Sequence, residues 1–98
     1  MEFYKYHSLG NDYLIYDCNK NQEALDKEKI VKLCNRNYGI GADGIVEGPY
    51  KKEGKMYVKV YNADGSEAEQ GGNAIRIFAH YLKTIKEVQS ESFSLYTK

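Results

Sequence analysis

The sequence predicts an α+β domain in which a mostly antiparallel sheet wraps around a central helix. Three observations predict it. Residues 3–7 (FYKYH) and 56–61 (MYVKVY) alternate with the period of a strand, residues 74–85 are apolar on most sides of a helix, and 98 residues leave room for one core. One domain spanning 1–98 is therefore expected.

The elements follow in chain order. The alternating stretch 3–7 and the mostly apolar run 13–16 flank "SLGND", a turn composition, so they predict a β-hairpin. Asp26 is placed to cap a helix whose apolar positions Ile30, Val31 and Cys34 share a face, and Glu28 suits its positive first turn. That helix is expected to end before Gly39. Ile45 and Val46 predict a short strand closed by "GPYKKEGK", an exposed loop holding the only proline, Pro49. Residues 56–61 form the clearest strand, and 93–96 (FSLY) a weaker one. In the last helix the polar residues Arg76, His80, Lys83, Thr84 and Glu87 fall on one stripe about 100° wide, and the rest is apolar. Such a helix needs sheet on most of its sides.

Composition narrows the function. Fourteen basic residues balance fourteen acidic ones, and no basic run exceeds two, which argues against nucleic acid or anionic membrane as partners. No apolar run reaches membrane-spanning length and the start "MEFYKYHS" has no apolar signal core, so a soluble cytoplasmic protein is expected. Cys18 and Cys34 stand sixteen positions apart without a metal-type spacing and read as reduced thiols. Ten tyrosines without a tryptophan are a strand signal.

Four stretches invite a chemical reading. "GIGADG" (39–44) spells a dinucleotide fingerprint, but a helix precedes it and an extended segment follows, so a tight turn with positive-φ glycines is the better account. "NADGSEAE" (62–69) offers oxygen donors without the spacing of a calcium loop, and a solvated turn is expected. His7 and His80 are isolated and read as structural or surface residues. At "GGN" (71–73) two readings stand. The glycines let backbone N–H groups at a helix N-terminus meet a carboxylate, or they make an entry turn while Asn73 or Ser66 caps the helix.

Taken together, "FYKYHSLGNDYLIYD", "LCNRNYGIGADGIV" and "YNADGSEAEQGGNAIRIFAHYL" resemble the N-terminal half of diaminopimelate epimerase, in order and spacing. The resemblance implies one lobe of a two-lobed, cofactor-independent epimerase that interconverts LL- and meso-diaminopimelate on the way to lysine and cell-wall precursors. Each lobe of that family wraps a sheet around a central helix and contributes one cysteine, at a helix N-terminus, to a cleft between lobes. One cysteine takes the α-proton while the other returns one from the opposite face. By the same resemblance Asn11, Asn62, Gly72 and Asn73 match substrate-contacting positions. Gly71 stands where the family has its catalytic cysteine, and no catalytic residue is assigned to this chain. Neither Cys18 nor Cys34 is placed to replace it. The chain ends at Lys98, so the expected partners are the diaminopimelate substrate and either a C-terminal lobe lying outside this chain or a second copy meeting the same face. The expectation is a lobe inactive alone; the alternative is an amino-acid-binding or regulatory module without catalysis.

Overall fold

Strands form where the sequence alternates, and what the alternation faces differs at each. The computed structural model describes residues 2–8, 10–68, 72–84 and 95–97. The element order is β1 (Tyr4–Ser8), β2 (Asn11–Asp17), α1 (Lys27–Cys34), β3 (Gly44–Lys52), β4 (Lys55–Asn62), α2 (Gly72–Thr84) and β5 (Leu95–Thr97). They build one five-stranded sheet in chain order. β1/β2 and β3/β4 are antiparallel, while β2/β3 and β4/β5 are parallel.

The two parallel joins explain where the helices lie. α1 connects β2 to β3 and α2 connects β4 to β5, and the two strand pairs run in opposite senses. Crossovers of one hand, stepping the same way along the sheet, must then cover opposite faces. The core divides accordingly. Ile15, Val46, Val58 and Val60 pack against Ala74, Ile77, Phe78, Tyr81 and Leu82 of α2. Leu14, Tyr16 and Ile45 meet Ile30 and Cys34 of α1 on the other face. β2 is thus covered on both sides, which is why residues 13–16 read as an apolar run with little alternation.

α2 shows the exposure pattern expected over its described residues, Arg76, His80, Lys83 and Thr84 being exposed and Ala74, Ile77, Phe78, Tyr81 and Leu82 buried, but it packs on one face of a mixed sheet and is not enclosed by sheet on most sides. Ile85, Glu87, Phe93 and Ser94 lie outside the described residues. α1 starts where expected, with Asp26 Oδ1 accepting from the Lys29 N–H at 2.8 Å. Its buried stripe is narrower than predicted. Ile30 and Cys34, four apart, face the sheet, whereas Val31 is turned outward by one 100° step and is 40 % exposed.

The stretch "GPYKKEGK" is corrected most. It is a β-hairpin, because β3 runs on to Lys52 and β4 begins at Lys55. Only Glu53 and Gly54 turn, both with positive φ, the geometry of a tight two-residue hairpin. Pro49 is buried inside β3, at an irregularity where the β3/β4 register shifts between Glu47 and Tyr50. A residue without an N–H is tolerated in a strand at such a bulge.

Candidate functional site

Topology gathers the four substrate-contact candidates at one end of the fold. β2 and β3 begin at that end and β4 finishes there, with Tyr13, Gly44 and Asn62 at one level of the ladder. Asn11 opens β2 and Asn62 closes β4. A crossover to a parallel strand has to carry the chain back along the sheet, so α2 starts at the Asn62 end and finishes at the other. Two contacts fix this direction. Ala68 N–H bonds the Val60 carbonyl at 2.8 Å just before the helix. Near its far end the Tyr81 hydroxyl donates to Asp17 Oδ2, at the close of β2, at 2.5 Å. Gly72 and Asn73 therefore stand at the same end as Asn11 and Asn62. Gly71 lies outside the described residues.

Among the described residues, no side chain caps the start of α2. Ser66 is occupied elsewhere: its hydroxyl donates to Asp64 Oδ1 at 2.5 Å and accepts from Asn62 Nδ2 at 3.0 Å. Asn73 sits within the first turn and not ahead of it, so neither residue is the side-chain cap that the sequence allowed. Nothing acidic occupies the first turn. Gly72 is exposed, its φ lies outside the left-handed region, and a Cβ built on it would meet no described atom within 4 Å. No described neighbour there requires glycine.

The turn at 62–66 is held by its own side chains. Besides the Ser66 bonds, Gly65 takes a φ of 87° and its N–H bonds the Asn62 carbonyl at 2.9 Å. Bonds from the Ser66 hydroxyl and N–H hold the Asp64 carboxyl below its ordinary range.

"GIGADG" reads as the turn it was expected to be, with strand β3 after it in place of a phosphate-binding helix. Of its glycines only Gly41 has positive φ; Gly39 and Gly44 are required by close approach, since a Cβ would lie 2.0 Å from the Lys32 carbonyl oxygen and 2.4 Å from that of Tyr61. This turn is bracketed to the "GND" turn. Asp12 N–H donates to Asp43 Oδ2, and Asp43 N–H to the Asp12 carbonyl, each at 2.8 Å. Arg36 reaches both carboxylates, at 3.3 Å and 3.0 Å. The Nδ1 of His7 pairs with Asp12 Oδ1, so His7 is not isolated. That bond first, then Arg36 against some desolvation, holds the Asp12 carboxyl below its usual value. Asn11 is thus the immediate neighbour of a residue fixed through backbone, carboxylate and guanidinium. His80 is exposed, its ring edge-on to Tyr6.

Both cysteines are free thiols, and neither lies at a helix N-terminus. Cys18 follows the far end of β2, donates to the Pro49 carbonyl at 3.0 Å, and is pushed up by burial and then by Asp17 and Glu47. Cys34 ends α1, buried on the other face of the sheet, and burial raises it too.

Sequence reading missed the Asp12–Asp43–Arg36–His7 bracket, which joins residues distant in the chain. It also missed Glu47, a buried carboxylate in β3 that accepts from the Tyr61 hydroxyl at 3.3 Å. A lone charge inside "GIVEG" was the available signal for it.

With this geometry in hand, comparison with known proteins is specific. The profile of the family described as Diaminopimelate epimerase matches residues 3–98. The chain is 46 % identical over 98 residues to diaminopimelate epimerase 2 of Nostoc sp., covering 99 % of this chain and 34 % of that protein. It is 38 % identical to the diaminopimelate epimerase of Trichodesmium erythraeum, over 97 % of this chain and 35 % of the relative. The enzyme of the same name from Carboxydothermus hydrogenoformans is 45 % identical over 84 residues, 83 % of this chain and 31 % of its own length. The chain therefore spans about a third of the relatives it matches, less than the half that the resemblance suggested.

Proposed function

This chain belongs to the diaminopimelate epimerase family, and we propose that it builds one wall of the cleft in which such an epimerase interconverts LL- and meso-diaminopimelate for lysine synthesis. On this reading Asn11, Asn62, Gly72 and Asn73 hold the substrate. The first N–H groups of α2, with the partial positive charge of a helix N-terminus, take the α-carboxylate. They would stabilise the charge that develops there when the α-proton leaves. The asparagine amides supply donors and acceptors around it.

The observation that carries this reading is the start of α2, which no side chain caps among the described residues, at the strand end that holds Asn11 and Asn62. Gly72 is a helix residue that no described neighbour forces to be glycine. Close approach of a ligand to the backbone is a reason for it that packing does not provide.

Glycine at position 71 has no ionisable group, so this wall binds without exchanging a proton, and a complementary lobe supplies the opposite wall and its acid or base. The test pairs two measurements on this chain. Diaminopimelate titrated into labelled protein shifts the Asn11, Asn62 and Asn73 signals with millimolar affinity, about 4 kcal/mol for half a cleft. Incubation in D2O gives no α-deuteration of diaminopimelate, either with this chain or with Gly71→Cys. Solvent exchange by either protein, or shifts confined to other residues, overturns the reading.

A further inference from the structure

On the α1 face, away from α2, lies a second cleft of about 360 Å³. Tyr16, Glu47, Tyr50, Lys59 and Tyr61 line it, and the chain at 21–25 forms its rim. The rim is tied down, because the Tyr16 hydroxyl donates to the Glu23 carbonyl and Asn21 Nδ2 to that of Asp17. Glu47 is 7 % exposed between fully buried Val46 and buried Gly48. A buried carboxylate costs several kcal/mol unless its charge is met, and what meets this one is neutral: the hydroxyls of Tyr61 and Tyr50. Both tyrosines are raised, by burial first and then by the Glu47 charge.

The matching cation is close but used otherwise. Lys59 is the direct cross-strand partner of Glu47, yet no ion pair joins them among the described residues, and its Nζ stands over the Tyr50 ring, 5.8 Å from the centroid. The cleft thus presents an anion and a cation side by side, with aromatic rings between them and room for a molecule of amino-acid size. We propose that this cleft binds a small zwitterionic amine, an amino acid, its ammonium group on Glu47 among the tyrosines and its carboxylate on Lys59. An ammonium there gains the carboxylate and the ring faces together. The tyrosine hydroxyls already orient Glu47, so little has to be rearranged on binding.

The experiment is an amide chemical-shift titration of the chain with L-lysine as probe, beside butylamine and acetate, each of which carries half of the recognition. L-Lysine is expected to shift Glu47, Tyr50, Lys59 and Tyr61 saturably, with each half-probe weaker by about tenfold or more. Glu47→Gln, which keeps an acceptor for the tyrosines, and Lys59→Met, at a partly exposed site, should each weaken L-lysine by about tenfold, or 1.4 kcal/mol. No saturable shift at these residues, a half-probe equal to L-lysine, or indifference to both substitutions overturns the proposal. Shifts at Asn11, Asn62 and Asn73 report the other site in the same spectra, so failure of one reading is separate from failure of the other.

Discussion

Replacing Gly72 by alanine separates what the fold needs from what a ligand needs. An alanine methyl at this position has no described atom within 4 Å, and the backbone is already helical. The substitution removes freedom only from the unfolded chain and should stabilise by about 0.4–1 kcal/mol. For a domain of this size that raises Tm by about 2–8 °C. The effect on binding has the opposite sign. If a carboxylate sits against the first N–H groups of α2, the methyl occupies its approach and weakens diaminopimelate by about tenfold or more, 1.4 kcal/mol. A circular-dichroism melt reads the first effect and an amide-shift titration the second. A higher Tm with unchanged affinity would refute the reasoning, since glycine would then serve neither fold nor ligand. A lower Tm would show that the fold requires glycine after all.

Tyr81→Phe removes the 2.5 Å bond to Asp17, with both residues 1 % exposed, and should cost about 1.5–3 kcal/mol in urea unfolding; a loss below about 0.5 kcal/mol would reject the bond as an anchor of α2. Alkaline pH should act through the same tyrosine. Burial and the Asp17 bond raise Tyr81 above 10.0, burial and Glu47 raise Tyr50, and Tyr61 is pushed up to about 12. The folded state therefore holds these protons more tightly than the unfolded one. Their stabilisation is complete below pH 10 and lost as pH rises toward the folded values, with a slope of up to about 1.4 kcal/mol per pH unit for each group. Urea melts from pH 8 to 11 should show this decline, shallower by one group in Tyr81→Phe. Gly44→Ala should destabilise by about 3 kcal/mol or more, because its Cβ would lie 2.4 Å from the Tyr61 carbonyl oxygen and 2.9 Å from Tyr13 Cε1. Gly10→Ala, with open space but a φ of 83°, should cost nearer 1–2 kcal/mol, and thermal melts that reverse this order would contradict the packing. His7→Gln should move the Asp12 carboxyl up toward its ordinary 3.8, so the stability it lends above that pH fades earlier on acidification; an unmoved carboxyl titration by NMR would show that His7 does not hold it.

What the sequence disclosed was what depends on neighbours in the chain. The hairpin at "SLGND", the Asp26 cap and the polar stripe of α2 are local patterns, and each stands as read over the described residues, which leave out Glu87. Pro49 was misplaced because composition marks proline as a loop residue, and only the register shift between β3 and β4 shows how a strand absorbs it. Val31 was misplaced because an eight-residue helix buries a stripe narrower than three apolar positions suggest. The four candidate site residues, Asn11, Asn62, Gly72 and Asn73, were proposed through the resemblance alone. Their common location was not legible, because it follows from the two parallel joins, which no periodicity reports. The Asp12–Arg36–Asp43 bracket was hidden for the same reason.

Glycine at position 71, which has no ionisable group, also bears on where any proton transfer could arise. Seven residue steps along the extended chain lead from Asn11 to Cys18, which at about 3.3 Å per step puts them on the order of 20 Å apart. Transfer from a carbon acid needs contact within about 3 Å. Cys34 is packed behind the sheet, on the face opposite α2. Both thiols are raised by burial, which disfavours the thiolate that a base would require. Distance excludes the first, the sheet excludes the second, and protonation works against both. On the proposed reading the strand end with Asn11, Asn62 and the α2 start holds a carboxylate, and neither of this chain's cysteines can add proton transfer to it without unfolding the sheet.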